Sequence, residues 1–238
     1  MSLKRWVRRA LLGIAALLGV VVVLVAVGVW YVRSHSVPET NLDTDKGQVL
    51  LRRNQAPDYE PLVRHWVQQE QMLCCAASAV SVMNSLQPEA GHTQDNLFVP
   101  ETAHIITLDE HRQGQNTLEK LAALIRARGG LSVTANHAGS GPRESDLPAF
   151  RQQVKENAAT AGDYMILNYS LNHLAGLGEG KGHCSPMAAY DEEEDLVLLL
   201  DPRRANRRFW IATASLYEAM NTIDQVSDEH RGWITVKN

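Results

Sequence analysis

Three residues in this sequence have the types and spacing to do chemistry together: Cys74, His183 and Asp201. Cys74 opens an apolar helical pattern, and a thiol at a helix N-terminus sits at the positive end of the backbone dipole, which favours the thiolate. His183 lies in Gly182-His183-Cys184-Ser185-Pro186, at the start of a short apolar run, and Asp201 closes the next run 18 residues later. If those runs are adjacent antiparallel strands, imidazole and carboxylate face each other near one sheet edge. The acid then fixes the ring tautomer and stabilises the imidazolium. Thiolate, imidazolium and orienting acid are the groups that cysteine acyl transfer needs: sulfur attacks a carbonyl and the imidazolium protonates the leaving amine. A donor for the developing oxyanion is also required. Gln68 and Gln71, six and three residues before Cys74, each carry a side-chain NH2 that could serve. Singly, each residue has a plainer reading. A free cysteine is often a small buried hydrophobe, and glutamines beside Gln69 could be ordinary loop polarity. The other eight histidines have no comparable setting.

The rest of the chain divides into two unlike parts. Residues 1–33 contain Lys4, Arg5, Arg8, Arg9 and Arg33 and no acid, while the remaining 205 residues carry 18 basic and 27 acidic side chains, a net charge of −9. That balance excludes a basic nucleic-acid-binding body, because phosphate contacts need a clustered positive face. Ala10 to Val32 is an uncharged run of 23 residues, which as a helix spans roughly 34 Å, against a hydrocarbon core of about 30 Å. Trp6 stands near one end and Trp30 and Tyr31 near the other, as interface anchors do. Four basic residues precede the run and only Arg33 and Lys46 follow it within 15 residues. The positive-inside rule therefore places the N-terminus in the cytoplasm and the body across the plasma (inner) membrane, on the periplasmic or extracytoplasmic side. The run exceeds a usual signal-peptide core of about 7–15 residues, which favours an uncleaved single-pass anchor; a cleaved signal with Ala26 and Gly28 at the cleavage site is the competing reading. Three cysteines are too few for a disulfide scaffold, and their odd number leaves at least one thiol outside any internal pair.

The elements that must position the chemistry can be read in outline. Residues 1–9 form a basic tail, 10–32 a membrane-spanning helix, 33–44 a polar linker containing Pro38, and 45–238 one domain. The periodicity predicts a helix over 74–86. A second is predicted from the Asn116-Thr117-Leu118-Glu119 start to about Arg128, stopped by Gly129-Gly130, a third over 146–159 and a short one over 213–220. Apolar runs at 164–169, 183–190, 196–201, 209–211 and 233–236 predict strands. Asp191 to Asp195 reads as a solvated acidic hairpin turn. The fold class is α+β: a helical N-terminal lobe with the nucleophile, then an antiparallel sheet lobe with His and Asp. Cys184 follows His183 on a strand, so the two side chains point to opposite faces. That orientation argues against a bond from Cys184 to Cys74 and leaves a Cys75–Cys184 pair open.

Several segments together resemble one family. Gln68-x-x-Gln71-x-x-Cys74-x-x-Ala77-Ser78 and Met83-Asn84-Ser85-Leu86 are similar to the nucleophile segment of phytochelatin synthases, members of the papain-like cysteine enzyme superfamily. Thr93-Gln94-Asp95-Asn96-Leu97-Phe98, Gly182-His183-x-Ser185-Pro186, Asp201, Ala219-Met220-Asn221-Thr222 and Arg231-Gly232 resemble further segments in order, across nearly all of the body. It looks most like the short bacterial members that have the catalytic domain alone. The resemblance implies Cys74 as nucleophile, His183 as acid/base, Asp201 as orienting acid and Gln68 as the oxyanion donor. It also implies Asp224 and Arg231 as the grip on the α-amino and α-carboxylate groups of a γ-glutamyl unit, a pairing that suits an acid with an ammonium and an Arg fork with a carboxylate. Three departures stand out. Cys75 replaces a usual glycine, Cys184 replaces an apolar residue, and Asp201 is followed by Pro202 and a basic run through Arg203, Arg204, Arg207 and Arg208.

The resemblance implies a papain-like fold and an enzyme that releases glycine from glutathione through a γ-glutamylcysteinyl thioester on Cys74, passed to water or to a second glutathione. It implies no required cofactor and no resident metal site; Cd²⁺ or Zn²⁺ enters as an activator or bound to glutathione thiolate as substrate. Glutathione and γ-glutamyl peptides are the expected partners, with the membrane through the N-terminal helix, a homodimer as the candidate assembly, and no nucleic acid. The alternatives are an exported papain-like peptidase or amidase acting on other peptides, and a membrane-tethered soft-metal module using Cys74, Cys75, Cys184 and His183.

Overall fold

The structure, a computed structural model, describes residues 3–54, 56–139, 143–203 and 207–238. The uncharged stretch lies within α1 (Leu3–His35). Its Leu17–His35 window has a mean hydropathy of 2.1 and none of it is buried in protein. The helix is thus long and apolar enough to cross a membrane, a test that a signal sequence also passes. The side chains of Lys4, Arg5, Arg8 and Arg9 lie outside the described part.

Beyond α1 the chain soon joins the domain. β1 (Glu39–Asn41) adds an edge strand to the main sheet, Leu42 is fully buried, and Thr44 caps α2 (Asp45–Arg53) by accepting from the Gly47 N–H. The second half of the stretch read as a linker is therefore fastened to the body. Next come α3 (Tyr59–His65), α4 (Cys74–Leu86), α5 (Leu108–Arg112) and α6 (Leu118–Gly129). α4 has the bounds that its periodicity predicts, and Cys75 through Met83 are all buried, as in a core helix. α6 is capped by Thr117, whose Oγ1 accepts from the Lys120 N–H, one residue later than the Asn116 start the sequence suggests. It ends at Gly130, whose φ of 62° a side chain would oppose. The remaining elements are β2 (Ser132–His137), α7 (Arg143–Ala159), β3 (Asp163–Ser170), α8 (Leu171–Leu174), β4 (Gly182–Asp191), β5 (Leu196–Leu200), β6 (Arg208–Ala212), α9 (Thr213–Met220) and β7 (Gly232–Lys237).

The seven strands form one sheet in the order β1-β6-β5-β4-β3-β7-β2, every pair antiparallel. Its two faces follow the period of two. Leu198, Leu200, Ile166, Trp210 and Ile234 pack with α4 and α6, whereas Val197, Leu199, Leu167, Phe209 and Ile211 pack with Phe150 and Val154 of α7 and Leu216 and Met220 of α9. Helices thus cover both faces of the sheet, which is why Leu196-Val197-Leu198-Leu199-Leu200 is apolar without alternation. The architecture is α+β, with the sheet between two helical layers instead of in a separate C-terminal lobe.

The acidic hairpin turn between β4 and β5 differs from expectation. Asp191 is fully buried and accepts from Arg53 Nε at 2.7 Å, from Asn54 Nδ2, and from the Glu194 N–H at 2.7 Å. Lys46 reaches Glu194, Lys155 reaches Glu192 and Arg151 reaches Asp195. The charge run is answered by α2 and α7 and is not simply solvated.

Candidate active site

Sheet order and helix packing bring the three reactive residues together. β4 and β5 are neighbours, so His183 at the start of β4 meets Asp201 just past the end of β5. His183 Nε2–H donates to Asp201 Oδ1 at 2.7 Å, with both side chains buried. α4 packs on β4 with its N-terminus at this end, which sets the Cys74 thiol where it interacts with His183. With Nε2 on the carboxylate, the other ring nitrogen is left for sulfur. Tyr169 on β3 sets its ring edge on the imidazole at 5.6 Å, and its hydroxyl is 2.9 Å from Ser185 Oγ. Ser78 Oγ donates to the carbonyls of Cys74 at 2.8 Å and Cys184 at 3.1 Å, tying the helix start to the strand.

The electrostatics favour an ion pair. Burial pushes the Cys74 thiol up, but the His183 hydrogen bond, the imidazolium charge and the backbone N–H groups of Cys184 and Cys75 outweigh it, so the thiol lies below its ordinary value. Burial pulls His183 down, and its bonds to Asp201 and Cys74 push it up to about 9. Asp201 is held well below the usual carboxylate range: burial opposes this, while His183, the Arg203 N–H and Arg207 overcome it. Both shifts favour a thiolate beside an imidazolium, the state a nucleophile with an adjacent proton donor needs.

Cys75 and Cys184 form a disulfide, with Cα atoms 4.8 Å apart. The open question of their pairing is thereby answered, and the bridge joins the residue after Cys74 to the residue after His183. Cys74 is the free cysteine. Met72, two residues before it, has a φ of 60°, a left-handed conformation uncommon for a side chain of this kind and frequent where a loop is held for function.

Beside Cys74 opens a cleft of about 390 Å³ whose lining includes Arg112, Lys181, Asp224 and Arg231. The structure thus places Asp224 and Arg231 in the same cavity as the thiol. Arg231 is buried, with Nη1 donating to Thr222 Oγ1 and the Ile223 carbonyl, each at 2.7 Å, and Nη2 to the Gly180 carbonyl at 2.8 Å. Its Nε has no partner, nor has Oδ1 of Asn168 or of Asn116 in the same wall. A side chain at Gly182 would come within 3.0 Å of both Arg231 Nε and Asn168 Oδ1, so glycine there leaves room for these buried, unpartnered atoms. Gln68 is exposed and is not part of the cleft lining. Its loop is held by buried Gln94, which donates to the Gln68 carbonyl and accepts from the Glu70 N–H, each at 2.9 Å. Sequence reasoning missed Arg112, Asn116, Asn168 and the clamp role of Gln94, although Gln94 sits in one of the recognised segments. Of the basic run after Asp201, Arg204 lies outside the described residues.

Residues 31–233 match the family model for phytochelatin synthase. The chain belongs to the phytochelatin synthase family. It is 33% identical over 122 residues to glutathione gamma-glutamylcysteinyltransferase 3 of Lotus japonicus, covering 50% of this chain and 24% of that protein. With glutathione gamma-glutamylcysteinyltransferase 2 of Arabidopsis thaliana it shares 25% identity over 221 residues, 87% of this chain and 46% of the relative. With the Schizosaccharomyces pombe enzyme of the same name it shares 22% over 205 residues, 84% and 48%. The chain spans about a quarter to a half of the length of these relatives.

Proposed function

We propose that the chain is a glutathione γ-glutamylcysteinyltransferase or glutathione hydrolase of papain-like type. The observation that carries this reading is charge inversion at the site. The body bears −9, yet the cleft beside the nucleophile is lined by Arg112, Lys181 and Arg231 against Asp224 alone. Glutathione has two carboxylates and one ammonium, an excess of negative charge that suits a cleft with an excess of positive charge. Cys74 thiolate attacks the carbonyl between cysteine and glycine, with the Cys75 N–H as an oxyanion donor and Gln68 as the second once its exposed side chain turns in toward Cys74. His183 protonates the departing glycine amine, and Asp201 holds the ring. Water, or the amine of a second glutathione, then takes the γ-glutamylcysteinyl group from sulfur, with His183 accepting its proton. Asp224 takes the γ-glutamyl ammonium and Arg231 a carboxylate group.

Export to the far side of the membrane fits a structural disulfide, since such bonds persist in oxidising compartments, and α1 is the proposed anchor. Cd²⁺ or Zn²⁺ belongs to the reaction as a substrate-bound ion or an activator. The soft-metal-module reading loses two of its three thiols to the disulfide. An exported peptidase on other peptides keeps one argument, the basic segment after Asp201. The test is glycine release from glutathione by the full chain in detergent. Release by wild type and none by Cys74→Ala is expected; no release by wild type, or equal release by the variant, ends the proposal. Turnover that Arg231→Ala leaves unchanged would favour the peptidase.

A further inference from the structure

The triad does not end at Asp201. Arg207, in the segment between β5 and β6, donates from Nη1 to Asp201 Oδ2, the oxygen not used by His183, and from Nη2 to Glu39 Oε2 at 2.7 Å. The Asp201 N–H donates to the Arg207 carbonyl at 2.9 Å, and the guanidinium lies over the Phe209 ring at 4.2 Å. Its plane is thus fixed from three sides. Glu39 is on β1, which pairs with β6 and begins four residues after α1 ends.

We propose that Arg207 and Glu39 are positioning residues for the reactive pair, so that the strand next to the apolar N-terminal helix is part of the catalytic apparatus. Oδ2 of a buried carboxylate needs a partner, and an arginine there leaves Oδ1 aimed at the imidazole. Glu39 in turn keeps the guanidinium from swinging into solvent and tempers its charge. The groups facing Asp201 and His183 are Cys74 from α4, Tyr169 from β3, Arg203 and Arg207 from the loop, and Glu39 from β1. A body cut at residue 45, the boundary the sequence suggests, would lack Glu39 and the whole of β1.

The inference rests on Cys74, His183 and Asp201 as reacting groups, and its deciding readout does not need glutathione. The rate of alkylation of Cys74 by iodoacetamide is followed against pH on the full chain in detergent, the site being assigned by peptide mass spectrometry. Wild type should show a thiolate limb below the ordinary thiol range and a second change near 9. Without that limb, the reading of the triad fails. Arg207→Gln removes a positive charge, so both limbs should move up in pH, and kcat for glycine release should fall roughly tenfold or more with little change in KM. Glu39→Gln removes a negative charge farther out, so both limbs should move down and by less. Arg207→Lys should return the limbs toward wild type without full recovery of kcat. Opposite shifts from the two neutralising variants, at unchanged melting temperature, support the proposal. Limbs that stay in place, or move the same way in both, overturn it, whatever the activity. If Arg207→Gln does not fold, the half-exposed Glu39 on its edge strand still carries the sign test.

Discussion

The β4–β5 hairpin has a buried aspartate at each end, and the two do different work. Asp191 at the turn and Asp201 at the open end are both 0% exposed, and each meets an arginine from elsewhere in the chain. Around Asp191 every partner is a fixed donor: Arg53, Asn54 and a backbone N–H. Around Asp201 one partner is His183, which can gain and lose a proton and has a thiol on its other side. Similar ion-pair physics thus closes the fold at one end and, on the proposed function, sets up a reaction at the other. A buried charge pair becomes functional where one partner titrates beside an open cleft.

The largest break in this comparison should come from the matched pair Asp201→Asn and Asp191→Asn. Asp201→Asn should lower glycine release on the order of 10³–10⁴-fold, because the amide no longer stabilises the imidazolium, with a smaller change in melting temperature. Asp191→Asn should do the reverse, costing roughly 1–3 kcal/mol of stability with activity of the folded fraction retained. Urea titration and steady-state rates read both. Next in size is the bridge. Cys75 and Cys184 close a loop 109 residues apart, so the double variant Cys75→Ser/Cys184→Ser should lose about 2–5 kcal/mol, while Asp191 and its partners stay intact.

The pH response sharpens the contrast through its sign. Asp191 and Asp201 both lie below their ordinary values, so each stabilises the fold above the unfolded carboxylate range, about 3.9, and that contribution is lost as pH falls through the folded values. His183 is raised to about 9, so its contribution is present below about 6.5 and is lost as pH rises through about 9. Acid should therefore weaken both ends of the hairpin, and mild alkali only the catalytic end. Activity should decline as pH passes about 9 while the Asp191 end holds. The smallest effect expected is at a site belonging to neither end: Thr117→Ala removes the cap of α6 and should cost about 1 kcal/mol, with turnover unchanged.

Legibility in the sequence followed the range of the interaction. α4, α9 and five of the strands were visible because periodicity and turn residues are local. Cys74, His183 and Asp201 were visible because a helix start and two successive runs predict their meeting. Arg207 with Glu39 and Arg53 with Asp191 were not, since those partners are 168 and 138 residues apart and meet only because β1 lies beside β6 and α2 lies against the hairpin turn. β2 was missed as well: Ser132–His137 is half exposed along an edge, so it lacks a strong apolar pattern. Asp224 and Arg231 came from the family resemblance alone, and the structure adds that both Nη groups of Arg231 are already engaged with the protein.

On the proposed mechanism Cys74 carries the γ-glutamylcysteinyl group, and intact-protein mass spectrometry of the full chain quenched in acid during turnover measures that directly. The expected result is a mass gain equal to glutathione less glycine, mapped to Cys74, resistant to reductant, released by hydroxylamine and absent in Cys74→Ala. A gain of whole glutathione less two hydrogens that reductant removes, or no adduct while glycine is still released, would contradict it.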